Sequence, residues 1–338
     1  TTFEYDAGGN ILCKKVYAFT IVDNLDFEEP LQNIPYAYPI SGWRDQLLSY
    51  KNESFEYDNL GNPTKYRNKV LQWSHGRQLD AFADVATYTY NANGIRTSKF
   101  ANGFTTSYLL NGNKIIKQHD TLNLFDFYYG ATGIEGFHLL SKNINGTVLV
   151  DGSYYYKKNA QNDIIGIVDA NGILIATYTY DAWGNHICKY LSNNGEYVAI
   201  ENDYMYNDTS IINRFIAYKN PFRYRSYYYD FETGLYYLNS RYYDPEVGRF
   251  INADDVDYLG AGGKPLSYNL FAYCENNPVN NSDASGDSPW TRKLNLWDYR
   301  KIHNKVADLI MWSMLAWGAR REVYVKGKNG KGFLDVYV

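Results

Sequence analysis

Cysteine is scarce. Cys13, Cys188 and Cys274 lie far apart with no metal-type spacing, which excludes a disulfide framework and leaves three small core residues. Charge of one sign is also missing: the net charge is −4, so no global electrostatic case exists for binding nucleic acid or an anionic membrane. The basic cluster in Arg320–Lys331 is too short to reverse that. No long apolar run occurs. The longest, near Val306–Trp317, contains Asp308 and falls short of the roughly 20 residues a membrane helix needs. No dense D-x-D-x-D loop is present, so the scattered aspartates do not read as a calcium site. Neither an initiator Met nor a signal sequence opens the chain, and the expectation is a piece of a longer protein whose export signal lies elsewhere.

Aromatic residues are abundant: 36 Tyr, 16 Phe and 7 Trp in 338 residues. Rings pack flat against cross-strand neighbours, and the tyrosine hydroxyl can sit at a polar boundary while its ring is buried. An internal repeat accompanies them. Phe3-Glu4-Tyr5-Asp6-Ala7-Gly8-Gly9-Asn10 is matched by Phe55-Glu56-Tyr57-Asp58-Asn59-Leu60-Gly61-Asn62. Further copies begin at Tyr88 and Tyr178, and a shorter one runs Val168–Gly172. Each has an alternating strand, then Asp or Asn, then Gly. The carboxylate or amide can accept backbone amides of the turn, and Gly supplies positive φ. Asp6, Asp58 and Asp181 therefore read as turn formers, and Ile11, Ile95, Ile173 and Ile187 as starts of return strands. Irregular spacing suits a continuous winding sheet better than a propeller of equal blades.

From Asn220 the pattern becomes denser. Asn220-Pro221-Phe222-Arg223-Tyr224-Arg225-Ser226-Tyr227-Tyr228-Tyr229-Asp230 is followed by Glu232-Thr233-Gly234-Leu235-Tyr236-Tyr237-Leu238, then Arg241-Tyr242-Tyr243-Asp244-Pro245 and Gly248-Arg249-Phe250. Asn269-Leu270-Phe271-Ala272-Tyr273 and Asn276-Asn277-Pro278-Val279-Asn280 close the block. Two hairpins are expected, turning at Asp230–Gly234 and Asp244–Gly248. This block resembles the Rhs repeat-associated core module of bacterial YD-repeat proteins, and with the upstream copies the resemblance covers residues 1–286. It implies a mainly β chain whose hairpins wind into part of a hollow Rhs-type β shell enclosing a variable C-terminal toxin, with a short α+β tail after it. The domains expected are a repeat region at 1–219, the core module at 220–286 and the start of a toxin domain at 287–338.

In many Rhs-type proteins the core module is similar to an aspartyl autoprotease that frees the tail. Its pattern has an Arg-aromatic-Leu/Ile segment leading to Asp-Pro, then a second Asp-Pro-x-Gly before the cut. Arg249-Phe250-Ile251-Asn252-Ala253-Asp254 matches the first element and Asp283-Ala284-Ser285-Gly286 the second. The resemblance implies Asp254 and Asp283 as the carboxylates, sharing a proton, one activating water while the other polarises the scissile carbonyl. Arg249 would hold one of them ionised. The chain departs from the pattern: Asp255 and Ala284 replace the prolines, and Asp287 stands where Leu often follows the glycine. On the residues alone, Asp254, Asp255, Asp257 and Asp283 also read as turn residues in the last loops of the shell.

After Gly286 tyrosine thins and the composition changes. Ile302, Val306, Leu309, Ile310, Ser313 and Trp317 recur at helical spacing, giving an expected helix from about Trp297 to Trp317, ended by Gly318. Strands at Arg321–Val325 and Gly332–Val338 follow, joined by Gly327-Lys328-Asn329-Gly330. This tail looks like the opening of a PD-(D/E)xK-type nuclease toxin, in which Asp335 would hold a divalent metal such as magnesium. Glu322 and His303 could assist, or be a strand-edge charge and a helix-face residue. The Glu-x-Lys partner strand of that family has no counterpart up to Val338, so nucleic acid would be a partner only through a complete tail. The β shell itself calls for no cofactor. The resemblance implies as partners the chain's own toxin domain, a cognate immunity protein and an export machinery, at a secreted or cell-surface location. The competing readings are a surface adhesion or carbohydrate-binding repeat protein, and a core module that is itself the enzyme, cutting near Gly286.

Overall fold

The computed structural model describes residues 1–18, 29–200, 211–255, 259, 265–283 and 285–286, with the backbone of strands Val323–Val325 and Gly332–Leu334. The chain forms two compact units, Thr1–Trp290 and Thr291–Val338. In the second, Val323 pairs with Leu334 and Val325 with Gly332 in an antiparallel ladder. The expected helix at 297–317 and the residues His303, Glu322 and Asp335 lie outside the described residues, as do Asp257, Ala284 and Asp287.

The first unit is built of antiparallel meanders. Strands from Glu56–Tyr57 to Tyr197–Ala199 each pair with their neighbours in sequence, building a sheet of 15 described strands. A sheet of five runs from Thr2–Tyr5 to Glu53–Ser54. The expectation of winding hairpins rather than equal blades is met.

The turns explain why this sequence folds so. Asp6 Oδ1 accepts the amides of Gly8 and Asn10 at 2.9 and 2.8 Å, and Asp58 and Asp181 repeat this on the residues two and four further on. Asn91, Asn143 and Asn159 build the same turn with an amide oxygen. These side chains satisfy amides that leave the ladder at the bend. The turns at Asn143 and Asn159 are copies the repeat comparison had missed. Gly184, the fourth residue of its turn, has φ +94° and lies so close to Tyr224 that a Cβ would stand 2.7 Å from its ring.

The core module is a smaller meander of Tyr228–Asp230, Leu235–Tyr237, Tyr242–Asp244 and Arg249–Phe250. Its turns fall where the sequence placed them: the amides of Gly234 and Gly248 donate to the carbonyls of Asp230 and Asp244, each at 2.8 Å. A short helix, Ile212–Lys219, leads into it. The inner face of the large sheet packs on this module in one hydrophobic cluster that includes Tyr88, Tyr108, Phe137, Tyr178, Tyr228 and Tyr243.

Tyrosine rather than phenylalanine is used because the contact also has polar ends. Tyr36 and Tyr243 donate to the carbonyls of Val247 and Trp183 at 2.9 and 2.7 Å, and Tyr66 donates to Asp244 Oδ2 at 2.9 Å. A buried ion cluster joins the layers. Arg96, fully buried, binds both oxygens of Asp230 at 2.5 and 3.1 Å, and Lys99 reaches Asp230 and Glu232 at 2.9 and 2.8 Å. The rings of Tyr88, Tyr108, Tyr228 and Tyr237 surround the guanidinium at 4.3–5.3 Å.

Candidate functional site

The repeat turns deliver side chains to the core module. In several turns the fifth residue reaches the module. Asn10 Oδ1 accepts from Arg249 at 3.0 Å and from Asn269 at 2.8 Å. Asn185 donates to the carbonyl of Pro245 at 2.8 Å, and Asp163 accepts the amide of Arg225 at 2.9 Å. The end of the module is thereby fixed against the sheet.

Elsewhere in the module Asp254 and Asp283 converge. Both are buried, and both reach the same nitrogen: Nη2 of Arg241 lies 2.7 Å from Asp254 Oδ2 and 3.4 Å from Asp283 Oδ2. The guanidinium between them is therefore Arg241, where the sequence reading had Arg249. Arg249 instead spends its hydrogen bonds on Asn10, Tyr38, the carbonyl of Asp45 and Asn269, and none of them on a carboxylate. The reason is topological. Asp244 and Arg249 are paired across a tight turn, so Arg249 is held at the seam with the first repeat turn, whereas Arg241 directly precedes the strand Tyr242–Asp244, at its other end.

Arg241 does more than join the carboxylates. Its Nη1 donates to the carbonyl of Leu270 at 3.0 Å, and its Nε donates to the carbonyl oxygen of Gly286. The guanidinium lies 3.6 Å from the Phe250 ring centroid, a cation–π contact. Asp283 Oδ1 accepts the amides of Gly286 and Ser285 at 2.8 and 3.3 Å. Ser240 holds the carbonyl of Ser285 through its amide and its hydroxyl, at 3.2 and 2.8 Å. Gly286 has φ +82°, and a Cβ there would meet Ser240 Oγ at 2.6 Å and the Leu238 carbonyl at 2.9 Å. Only glycine fits this position without displacement.

The surroundings bear on the chemistry available. Tyr227 accepts the amide of Asp283 at 3.0 Å and a hydrogen bond from Tyr273 at 3.2 Å. Burial pushes the phenols of Tyr227 and Tyr273 and the thiol of Cys274 upward, so all three stay protonated and supply no anionic nucleophile. What remains is a cation on a peptide carbonyl oxygen and two carboxylates on that cation. Such a group can polarise the carbonyl and hold charge that develops on its oxygen. Arg241 had a partial signal: an arginine inside a run of aromatic residues must satisfy its donors within the fold. Among the described residues no cluster of three or more His, Cys, Asp or Glu could hold a metal ion, and no helix there is long and apolar enough to cross a membrane.

No family model matches the chain. The chain is 32% identical over 303 residues to the tRNA3(Ser)-specific nuclease WapA of Bacillus spizizenii, spanning 87% of this chain and 12% of that protein. It is 34% identical over 256 residues to the tRNA nuclease WapA of Bacillus subtilis, spanning 73% of this chain and 10% of that one. The chain thus spans about a tenth of the length of these curated relatives. Among solved structures, the crystal structure of TcdB2-TccC3-Cdc42 covers 85% of this chain and 15% of its own, with a TM-score of 0.51 at 15% identity, a likeness of fold. The repeat turns, the meander packed on its tyrosine-rich module and these relatives agree, and the chain belongs to the Rhs/YD-repeat family.

Proposed function

We propose that this chain is part of a secreted or cell-surface β shell that carries and delivers a C-terminal toxin in interbacterial competition. One observation supports the reading above the rest: the shell and core module end in a fixed glycine turn at Gly286, and a second compact unit begins at Thr291. A surface adhesin has no need of such a junction. The names of the relatives, both tRNA nucleases, support a nuclease as the passenger. Its chemistry would draw on a divalent metal such as magnesium, with Asp335 among the ligands. An immunity protein in the producing cell and an export machinery complete the proposal. The test is co-culture of a strain carrying the whole gene with one lacking codons 287 onward. The parent is expected to outgrow a sensitive neighbour and the deletion strain to lose that advantage; equal growth of the two would refute the reading.

The geometry at Gly286 favours a second activity, self-cleavage of the Gly286–Asp287 bond. Asp283 accepts two turn amides and Asp254 the single amide of Asp255, and Asp254 is assigned the role of base. It takes a proton from water as the water oxygen attacks the Gly286 carbonyl carbon. Arg241 stabilises the oxyanion, and the proton passes to the Asp287 nitrogen as the C–N bond breaks. Intact mass of the purified chain tests this. A fragment beginning at Asp287 is expected from the wild type and not from Asp254→Asn, which retains the Arg241–Asp283 pair. An uncut wild-type chain after prolonged incubation would rule the activity out.

A further inference from the structure

Between the strands His186–Leu191 and Tyr197–Ala199 and the core module lies a cavity of about 510 Å³, within the size range of small-molecule sites. Arg67, His186, Arg223, Thr233, Asp244 and Glu246 contribute to its wall. At one end the charges are matched. Glu246 lies 2.7 Å from Arg67 and 2.8 Å from Lys51, and Asp244 is 3.8 Å from Arg67 and accepts from Tyr66 at 2.9 Å.

Arg223 is different. It is buried, yet among the described residues it has no carboxylate partner. Its Nε and Nη2 donate to the carbonyls of Asn220 and Tyr218 at 3.4 and 3.1 Å, and its Nη1 contacts Nε2 of His186. Burial and the neighbouring guanidinium lower the His186 pKa to about 2, so the ring is a neutral acceptor and brings no charge. The rings of Tyr229 and Phe231 lie 4.7 Å from the guanidinium. Among the described residues its full positive charge is therefore met by dipoles and rings alone. A guanidinium has five N–H donors, of which these contacts use three.

We infer that the cavity is a binding site for a compact oxyanion, a carboxylate or a phosphate, taken by the remaining Nη donors of Arg223. The forked guanidinium matches the two oxygens of either group, and the ion pair would neutralise the unmatched charge. The paired Glu246 and Asp244 leave Arg223 as the attractive end of the cavity for an anion. The inference stands on the cavity and does not depend on toxin delivery or self-cleavage.

The test compares sodium phosphate and sodium acetate with sodium chloride at matched ionic strength on the whole chain. A saturable rise in the thermal midpoint is expected with one or both; phosphate alone identifies a tetrahedral oxyanion site, and acetate as well a carboxylate site. Arg223→Met is expected to abolish the rise, and Arg223→Lys to weaken apparent affinity at least tenfold. Should Arg223→Met fail to fold, titration of wild-type protein followed at the Arg223 Nε resonance gives the answer without it. No midpoint rise over chloride, a rise that survives in Arg223→Met, or an Arg223 resonance that stays still overturns the proposal.

Discussion

Replacing Asp230 by asparagine keeps the shape of the side chain and removes its charge. In the wild type this carboxylate accepts both Arg96 donors and Lys99, at 2.5, 3.1 and 2.9 Å, and all three groups are buried. Asp230→Asn leaves Arg96 with no carboxylate and Lys99 with Glu232 alone. Breaking a buried pair by removing one partner costs about 3–5 kcal/mol, and the three charge-assisted bonds place this case toward the upper end. The measurement is urea unfolding of the whole chain at pH 7, wild type against variant, at unchanged slope. Arg96→Met with Asp230→Leu should cost less than the two single changes added together, because it removes the stranded charge. The same pair has a pH signature. Burial alone would raise the Asp230 pKa, but Arg96 and Lys99 hold it below the ordinary carboxylate value. Its stabilisation is thus complete above the unfolded carboxylate pKa and is lost as pH falls through the lower folded one. A cost below about 1 kcal/mol for Asp230→Asn would mean that the cluster is hydrated, and the reasoning from burial would fail.

Three further outcomes follow from the same packing. His186, held neutral by burial and Arg223 with a pKa near 2, binds a proton in the unfolded chain below about pH 6.5 but not in the folded one. It should contribute about 1.4 kcal/mol of lost stability per pH unit below that value, a slope that His186→Gln should remove between pH 5 and 6. Gly184→Ala, at φ +94° and 2.7 Å from the Tyr224 ring, should cost about 2 kcal/mol or more, read as a lowered urea midpoint. Arg241→Met should strand Asp254 and Asp283 and release the Gly286 carbonyl, seen as faster amide exchange at Ser285 and Gly286; unchanged exchange would show that Asp283 alone holds the turn.

The local parts of the fold were legible because each rests on a few adjacent residues. An Asp or Asn followed three residues later by Gly specifies the turn, and alternating tyrosines specify the strand. The turn at Asn143 keeps the Gly, as Gly146, but no alternating tyrosines precede it, and the turn at Asn159 replaces Gly by Asn162, which carries the positive φ. Long-range partners were not legible. Arg96 meets Asp230 across 134 residues and Arg249 meets Asn10 across 239, distances at which sequence spacing carries no register. The two candidate carboxylates were found through family resemblance. The arginine between them was mistaken because Arg249 adjoins the motif, whereas Arg241 reaches it only after the strand has turned back. Nor could the repeat pattern show that Asn10 and Asn185, the fifth residues of their turns, dock the core module.

Delivery is measured most directly by following the segment after Gly286 into a neighbouring cell. A small epitope tag in that segment of the full-length protein, expressed from its own gene, should appear in the cytoplasm of recipient bacteria. It should be absent from recipients when residues 1–286 are deleted or when Asp230→Asn destabilises the shell. Entry that is equal with and without the shell, or a tag that never leaves the producing cell surface, would contradict a carrier role.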